Sequence, residues 1–134
     1  MIPRYLADTH IVVHWLAAPK RLSRDQTRVL REATRRREPI AVSAMSLLEM
    51  ALLFGKGSMR SKIPADQLLS ELESHPVFQI VPLSFDVAAE VAALGPSLRD
   101  PSDRAIVATA RVKNLRLLTS DQRIIQSKLV PVVA

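Results

Sequence analysis

The stretch Asp100-Pro-Ser-Asp103-Arg-Ala-Ile-Val-Ala-Thr-Ala110 begins with an acidic turn and continues as a largely apolar segment. Asp100 fits the N-cap of a helix, and Pro101 fits the first helical position, where its missing N–H costs nothing. Asp103 falls in the first turn, where the helix dipole favours a negative charge. We therefore predict a helix from residue 101 to about residue 112, with two carboxylates at its amino terminus.

Outside this stretch, strand-like and helix-like segments alternate. The predicted strands are residues 4–8, 39–43, 77–83, 115–119 and 130–133, and Pro131 favours a sheet edge for the last of them. The other predicted helices are residues 9–16, 23–37, 44–54, 64–74, 85–94 and 121–127, and residues 55–62 are predicted as a basic loop. This alternation predicts an α/β fold with three layers, α/β/α, around a mostly parallel central sheet of about five strands.

Length and composition favour an ordinary folded domain. At 134 residues, 48% of them hydrophobic, the chain is expected to form a single domain over residues 1–134. There is no cysteine, which excludes disulfides and thiolate zinc sites and fits a reducing compartment. Asp8 stands where a signal peptide would need an apolar core, and there is no run of about 18 apolar residues. We therefore expect a cytoplasmic protein without a membrane span.

Four carboxylates lie near the starts of predicted helices: Asp8, Glu49, Asp103 and Asp121. In parallel sheets, sites form beyond the carboxyl ends of the strands, and all of the four except Asp103 belong to segments that directly follow a strand. If the four meet at one edge, they form an acidic, oxygen-lined pocket of the kind that binds hard divalent cations such as Mg²⁺. Such a metal can generate hydroxide and offset phosphoryl charge, so the pattern predicts phosphodiester chemistry.

Each carboxylate also has a purely structural explanation. Asp8, Asp100 and Asp121 could simply cap the helices that follow them. The sequence Ser46-Leu-Leu-Glu49 matches a capping box, in which the glutamate reaches back to a backbone N–H. Glu49, however, is the one ionisable group in a helix that otherwise looks buried, and a buried carboxylate needs a partner such as a metal. Capping and metal binding are compatible, because helix amino termini favour the ionised carboxylate.

The surface charge is basic, with a net charge of +6 and a pI near 10.5. A basic shell around an acidic centre suits a nuclease, because the shell attracts phosphates. One predicted helix carries arginines at the spacing i, i+4, i+7 and i+11: Arg24, Arg28, Arg31 and Arg35. This arginine stripe is either a solvated helix face or a track for nucleic acid or an acidic partner, and the sequence leaves both readings open.

The histidines are less informative. His10 and His14 are four residues apart, which is the spacing of a helical metal pair. The glutamate that a zinc protease carries between them is missing, and no third nitrogen ligand is evident. His10 is close to Asp8 and is either a substrate contact or a structural histidine.

These motifs together resemble the PIN-domain ribonucleases, most closely the toxin component of VapBC toxin–antitoxin systems. The resemblance extends over nearly the whole chain in length, order and spacing, and the Asp-Pro-Ser-Asp-Arg sequence is its most specific part. It rests on four segments: Leu6-Ala-Asp8-Thr9-His10, Ser43-Ala-Met-Ser-Leu-Leu-Glu49, Asp100-Pro-Ser-Asp103-Arg104 and Leu117-Leu-Thr119-Ser-Asp121.

The resemblance implies an endoribonuclease that depends on Mg²⁺ or Mn²⁺, is commonly a homodimer, and is inhibited by a cognate antitoxin whose tail lies across the active site. Its RNA hydrolysis would leave a 5′-phosphate and a 3′-hydroxyl. By matched position, the catalytic and metal-binding acids would be Asp8, Glu49, Asp103 and Asp121. The weaker supporting or substrate-contacting candidates are Thr9, His10, Asp100, Arg104 and Thr119. Among these, Thr119 would orient the last acid, and Arg104 would steer an acidic group or a phosphate.

Other classes fit less well. A phosphorylated receiver domain needs adjacent acids after its first strand and a late lysine, whereas Asp8 is followed by Thr9 and no lysine lies near Asp121. A haloacid-dehalogenase phosphatase needs Asp-x-Asp, and position 10 is histidine. A PIN-fold module that binds RNA or protein without catalysis is the remaining alternative. RNA degradation that requires Mg²⁺ and stops with EDTA would separate it from the enzyme.

Overall fold

The computed structural model describes residues 1–55 and 63–134, and most of the predicted basic loop at residues 55–62 lies outside them. Its centre is a five-stranded sheet in the order β3-β2-β1-β4-β5, in which each strand is parallel to its neighbours. The strands are β1 (Tyr5–Ala7), β2 (Ile40–Ser43), β3 (Phe78–Val81), β4 (Arg116–Leu118) and β5 (Val132–Val133). The predicted five-stranded parallel sheet is therefore confirmed.

Helices connect the strands, as parallel pairing requires. They are α1 (Thr9–Ala17), α2 (Arg24–Arg36), α3 (Ala44–Leu53), α4 (Ala65–Ser74), α5 (Phe85–Ala93), α6 (Pro101–Lys113) and α7 (Gln122–Ser127), with a short 3₁₀ turn at Pro19–Arg21. Every helix that the sequence predicted is present. The predicted bounds differ from the observed ones by a few residues at most.

Two hydrophobic cores lie on opposite faces of the sheet, because successive strand residues point to opposite sides. On one face Leu6 and Leu117 pack in a cluster with Ile106 of α6. On the other face Ala7 and Leu118 belong to a second cluster that contains residues of α1 and α2. Helices therefore cover both sides of the sheet, and the predicted three-layer α/β/α architecture is confirmed.

Strand β5 lies at the edge of the sheet, as Pro131 predicted, although it begins only after this proline. Pro131 has no N–H to give to a neighbour, but its carbonyl oxygen accepts a hydrogen bond from the Leu117 N–H at 2.9 Å. Pro131 therefore pairs with β4 only through its carbonyl oxygen. No helix in the described ranges, 1–55 and 63–134, is long and apolar enough to cross a bilayer.

Helix α3 corrects two expectations from the sequence. Its N-cap is Ser43, whose hydroxyl accepts from the Met45 N–H at 3.1 Å, so the helix begins before the supposed capping box at Ser46 and Glu49. The helix is also not buried all round, since Leu48 is 53% exposed and Leu52 is 72% exposed. Its apolar sequence covers both a core face and a surface face, which composition alone does not distinguish.

Candidate active site

The carboxyl ends of β1, β2 and β4 meet at one edge of the sheet, and the start of α6 lies beside them. This edge holds a cavity of about 250 Å³. Its lining residues are Asp8, Thr9, His10, Val13, His14, Glu49, Leu53, Phe54, Asp100, Asp103, Asp121 and Arg123. The four carboxylates that the sequence singled out, and Asp100 with them, therefore line a single cavity, which we call the acidic pocket.

Asp8 is the most buried of these acids, with 4% of its surface exposed. Its Oδ1 caps α1 by accepting from the Thr9 N–H at 2.8 Å, and its Oδ2 accepts from the Thr119 hydroxyl at 2.7 Å. Burial raises the pKa of Asp8, and nearby Asp121 adds to this, while His10 and the two hydrogen bonds oppose it. Asp8 is thus both a helix cap and a member of the pocket, as the sequence suggested.

Thr9 links the first helix to Glu49. Its hydroxyl donates to Glu49 Oε1 at 2.5 Å and lies 2.8 Å from the buried hydroxyl oxygen of Ser46. Glu49 is half-buried, and burial is the main reason why its pKa is raised, with the negative charge of Asp8 contributing. The position of this carboxylate is therefore set by a hydrogen bond between two helices and not by a capping box.

Asp103 carries the least compensated charge in the pocket. The residue is 8% exposed, and its Oδ2 is the only buried side-chain oxygen or nitrogen of the described ranges without a hydrogen-bond partner. Burial raises the pKa of Asp103 to about 7, assisted by the charges of Asp100, Asp121 and Asp8. A buried carboxylate oxygen without a donor is costly, and a cation is the partner that would satisfy it.

Asp121 caps α7, and Arg123 is its cation. Asp121 Oδ1 accepts from the Arg123 N–H at 2.9 Å, and Oδ2 lies 3.3 Å from Arg123 Nη2. Burial alone would raise the pKa of Asp121, but the hydrogen bonds and charge of Arg123 outweigh it, and the pKa is lowered. The same Nη2 lies 3.6 Å from Asp103 Oδ2, beyond hydrogen-bonding distance. The sequence analysis gave Arg123 no role, and nothing in its spacing would have revealed one.

Hydrogen bonds of the Thr119 and His10 side chains link the segments that follow the carboxyl ends of β1 and β4. The Thr119 hydroxyl donates to Asp8 and accepts from the Asp121 N–H at 3.1 Å, so this residue contacts two acids instead of orienting only the last one. His10 Nε2 accepts from the Ser120 N–H at 2.9 Å, which leaves the proton of the neutral ring on Nδ1. That nitrogen lies 3.6 Å from Asp8 Oδ2.

Gln26 is a second residue that sequence analysis missed. It is fully buried, and its Nε2 lies within hydrogen-bonding distance of the Thr119 carbonyl, the Ser120 hydroxyl and the Val133 carbonyl, at 3.3, 3.0 and 3.3 Å. Its Oε1 also accepts from the Ser23 N–H, completing a capping box at the start of α2. The capping-box sequence identifies the cap, but the second contact, which holds the turn before Asp121, depends on the folded structure.

Asp100 lies beside the pocket, whereas the guanidinium of Arg104 binds residues outside it. Asp100 Oδ1 accepts from the Asp103 N–H at 3.0 Å, which places this N-cap beside the pocket. The guanidinium of Arg104 donates to the carbonyl oxygens of Val91, Gly95 and Leu98, each at 2.6 Å. The expectation that Arg104 steers an acidic group or a phosphate is therefore corrected, because its donors bind carbonyl oxygens at the end of α5 and in the loop that follows.

The arginine stripe is exposed along α2, and two of its members form short-range surface pairs. Arg28 lies 3.3 Å from Asp25, and Arg35 lies 2.6 Å from Glu32. The amino end of α2 lies against the turn that precedes Asp121, since Gln26 contacts Ser120, and the stripe runs from this end toward the start of β2. The predicted stripe thus exists as a surface, and its binding role stays a prediction.

The pocket oxygens suit a hard cation, but they are not arranged as a ready chelating group. In residues 1–55 and 63–134, no three acidic or histidine side chains are placed so that they could hold one metal ion as they stand. Thr9 and Thr119 engage Asp8, and Arg123 engages Asp121. The unsatisfied Oδ2 of Asp103 is what fits a metal, and a shared cation would require these side chains to draw closer.

The fold and the acidic pocket together indicate a protein family. The family model for the PIN domain matches residues 5–128, so the chain belongs to the PIN domain family. The predicted resemblance to that family is thereby confirmed. Among individual relatives, Ribonuclease VapC22 of Mycobacterium tuberculosis is 35% identical over 120 residues, which are 89% of this chain and 88% of that protein.

Two solved structures share the fold over almost the full length of both chains. VapBC2 from Rickettsia felis, bound to a DNA fragment from its promoter, matches with a TM-score of 0.72 and 18% identity over 99% of this chain and 98% of that one. FitAcB from Neisseria gonorrhoeae matches with a TM-score of 0.71 and 21% identity over 97% and 96%. At these identities the likeness is one of fold.

Proposed function

We propose that this chain is a divalent-metal-dependent endoribonuclease that acts as the toxin of a toxin–antitoxin pair. The observation that carries the proposal is the buried, unsatisfied Asp103 Oδ2, set among other carboxylates at the carboxyl edge of a PIN-family sheet. Hard oxygen donors around an uncompensated negative charge favour Mg²⁺, with Mn²⁺ as a substitute. The 35% identity to a protein named as a ribonuclease supports the same activity.

The proposed ligands are Asp8, Asp103 and Asp121, with Glu49 as a further ligand or as the base that positions the attacking water. A bound cation would lower the pKa of coordinated water and offset charge on the scissile phosphate. Glu49 suits the task of a base because burial raises its pKa, so that it accepts a proton more readily than an exposed glutamate. The hydroxyls of Thr9 and Thr119 hold Glu49 and Asp8 in place.

RNA cleavage by the purified protein tests this function. We expect cleavage of a structured RNA with Mg²⁺ or Mn²⁺ and none with EDTA, and we expect Asp103→Asn to be inactive while it stays folded. Glu38→Gln is the matched control, because it removes one carboxylate at the opposite edge of the sheet. Cleavage that persists in EDTA, or in a folded Asp103→Asn protein at full rate, would refute the proposed site.

We propose that the arginine stripe on α2 binds the RNA backbone. It extends over 12 residues, from Arg24 to Arg35, or about 16 Å of helix. The amino end of α2 lies against the turn that precedes Asp121, since Gln26 contacts Ser120. Phosphate contacts by arginine release counterions, so such a surface binds RNA strongly at low salt without reading its sequence.

The double variant Arg24→Gln/Arg31→Gln tests the stripe. We expect its KM for RNA to rise, its kcat to stay close to wild type, and the salt dependence of KM to become shallower. Lys113→Gln/Lys128→Gln removes the same charge from exposed residues elsewhere and should leave KM nearly unchanged. Equal effects of the two double variants would mean that only net charge matters, and the stripe would lose its proposed role.

A cognate antitoxin is the proposed protein partner, because the fold is shared with the VapBC2 complex. Expression of the chain alone should arrest growth, and expression together with a small DNA-binding protein encoded beside it should restore growth. Arrest by the Asp103→Asn variant would show that toxicity has another cause. We also propose that residues 1–134 act as one domain and that the protein works in the cytoplasm, where its RNA is found.

A second copy of the chain is the proposed occupant of an exposed apolar surface. Leu48, Leu52 and Phe85 are 53%, 72% and 95% exposed and follow the carboxyl ends of neighbouring strands β2 and β3. Single exposed apolar residues are common, but three large ones on helices that follow neighbouring strands favour an interface. Light scattering should give a dimer for the wild type and a monomer for Leu52→Glu/Phe85→Glu. A monomeric wild type would refute the dimer.

A further inference from the structure

Among the described residues, Arg123 is the arginine that lines the acidic pocket, and its contacts with the acids there are long. One nitrogen, Nη2, lies between two carboxylates, 3.3 Å from Asp121 Oδ2 and 3.6 Å from Asp103 Oδ2. The second distance is too long for a hydrogen bond, and Asp103 Oδ2 stays unsatisfied. Arg123 therefore pairs with Asp121 through two long contacts, Nε at 3.5 Å from Oδ1 and Nη2 at 3.3 Å from Oδ2, and acts on Asp103 by its charge alone.

Several arginine–carboxylate pairs elsewhere in the described residues are shorter, although the pair of Arg28 and Asp25 is also 3.3 Å long. Arg4 lies 2.8 Å from Glu38, and Arg111 lies 2.7 Å from Glu90. The Arg123 side chain is also 72% exposed, so no packing holds its guanidinium in the pocket. A loose, exposed guanidinium next to a half-satisfied pair of acids is easily displaced by a cation of higher charge density.

We propose that Arg123 fills the cation position between Asp103 and Asp121 in the metal-free protein and turns to the RNA phosphate when a divalent metal binds. The inference rests on the proposed function, since it presumes a metal-dependent nuclease. Binding of a divalent cation to Asp103 and Asp121 repels the guanidinium, which sits at the open side of the pocket. A phosphodiester that arrives there is the nearest anion, and the planar guanidinium fork matches its oxygens.

If Arg123 alternates between the acids and the RNA phosphate, its replacement should strengthen metal binding and weaken RNA cleavage. Arg123→Gln removes a competitor of the metal, so the apparent Kd for Mn²⁺ measured by titration calorimetry should fall about threefold or more. The same variant lacks a phosphate donor, so kcat/KM for RNA at saturating metal should fall about tenfold. A merely structural role would weaken both metal binding and cleavage, and a purely blocking role would improve both.

Two further variants complete the experiment. Arg123→Lys keeps the charge but not the fork, so its Mn²⁺ affinity should stay near wild type while its cleavage remains reduced. Lys113→Gln, which removes a charge at the far end of α6, should change neither quantity. If Arg123→Gln leaves Mn²⁺ affinity unchanged or weaker, or cleaves RNA at the wild-type rate or faster, the inference is overturned although the nuclease proposal stands. If the wild type and Arg123→Gln both fail to bind Mn²⁺, the proposed function itself fails.

Discussion

Acidic side chains at the two edges of the sheet differ in how many arginines lie beside them. At the edge where the strands begin, a cavity of about 440 Å³ is lined by Asp25, Glu32 and Glu38, among others. Each of these acids lies within 4 Å of an arginine. At the edge where the strands end, the acidic pocket is smaller, about 250 Å³. Within residues 1–55 and 63–134, Arg123 is the one arginine that lines it, and two of its five carboxylates, Asp103 and Asp121, lie within 4 Å of that side chain.

The pKa shifts express the same difference. The hydrogen bond from Arg35 lowers the pKa of Glu32, whereas burial raises the pKa of Asp8, Glu49 and Asp103. The chain has 19 basic residues for 13 acidic ones, so composition does not explain why, among the described residues, so few cations lie at the carboxyl edge. The comparison teaches that uncompensated charge, and not cavity size, identifies the candidate active site.

The largest difference in activity between the two edges is expected when one acid is neutralised at each of them. Asp103→Asn should lower RNA cleavage by about 100-fold or more, because it removes a proposed metal ligand, while Glu38→Gln should cleave like the wild type. Gel-based cleavage assays at matched metal concentration measure both, with circular dichroism to show that each variant is folded. Equal losses in the two variants would erase the functional distinction between the edges.

Metal should stabilise the folded protein through the carboxyl edge alone. At Mg²⁺ concentrations near 100 times its Kd, linkage predicts about 2.7 kcal/mol of added stability for the wild type. Urea unfolding with and without Mg²⁺ measures this gain, and we expect most of it to disappear in Asp103→Asn and to remain in Glu38→Gln. An undiminished gain in Asp103→Asn would place the metal elsewhere.

The two edges should also respond to pH with opposite signs when metal is absent. Asp103 has a folded pKa raised from 3.8 to about 7, so its contribution to stability is fully present below pH 3.8 and is lost as pH rises toward 7. Allowing for partial exposure, the loss should be about 1–2 kcal/mol relative to Asp103→Asn. Glu32 has a lowered pKa, so its contribution is present above pH 4.5 and is lost as the pH falls.

Urea unfolding in EDTA at several pH values measures these slopes. The difference in unfolding free energy between the wild type and Asp103→Asn should shift against the wild type between pH 4 and pH 7.5. A difference that is flat over this range would mean that Asp103 has an ordinary pKa. Added Mg²⁺ should remove the penalty at pH 7.5, because the metal replaces the proton.

The smallest effect on stability is expected for Glu38→Gln, at the edge where the strands begin. Glu38→Gln breaks the pair with Arg4, whose side chain is 66% exposed, and exposed pairs contribute little to stability. Its Tm should therefore lie within experimental error of the wild type at 0.15 M salt. A large drop in Tm would show that this edge also depends on charge compensation, and the contrast between the edges would be weaker than proposed.

Much of this arrangement could be predicted from the sequence. The alternation of segments predicted the parallel sheet, and acids that directly follow strands, such as Asp8 and Asp121, had to lie near its carboxyl edge. The N-cap sequence at Asp100 also predicted a helix start correctly, because capping depends only on residues close in the chain.

The rest depended on contacts between distant segments. Arg123 looked like any charged residue on a short helix, and only the folded structure brings it to Asp103. Arg104 is the last residue of the most specific motif, yet it donates to carbonyl oxygens in the loop after α5. The exposed side of α3 was missed because an apolar sequence does not say which of its faces meets the core.

The most direct test of the central claim is the anomalous scattering of Mn²⁺ soaked into crystals of the wild-type protein. We predict an anomalous peak in the acidic pocket within about 2.5 Å of Asp103 Oδ2, with Arg123 turned away from that oxygen. A pocket without an anomalous peak at saturating Mn²⁺, with Arg123 still between Asp103 and Asp121, would contradict the claim that these carboxylates form a metal centre.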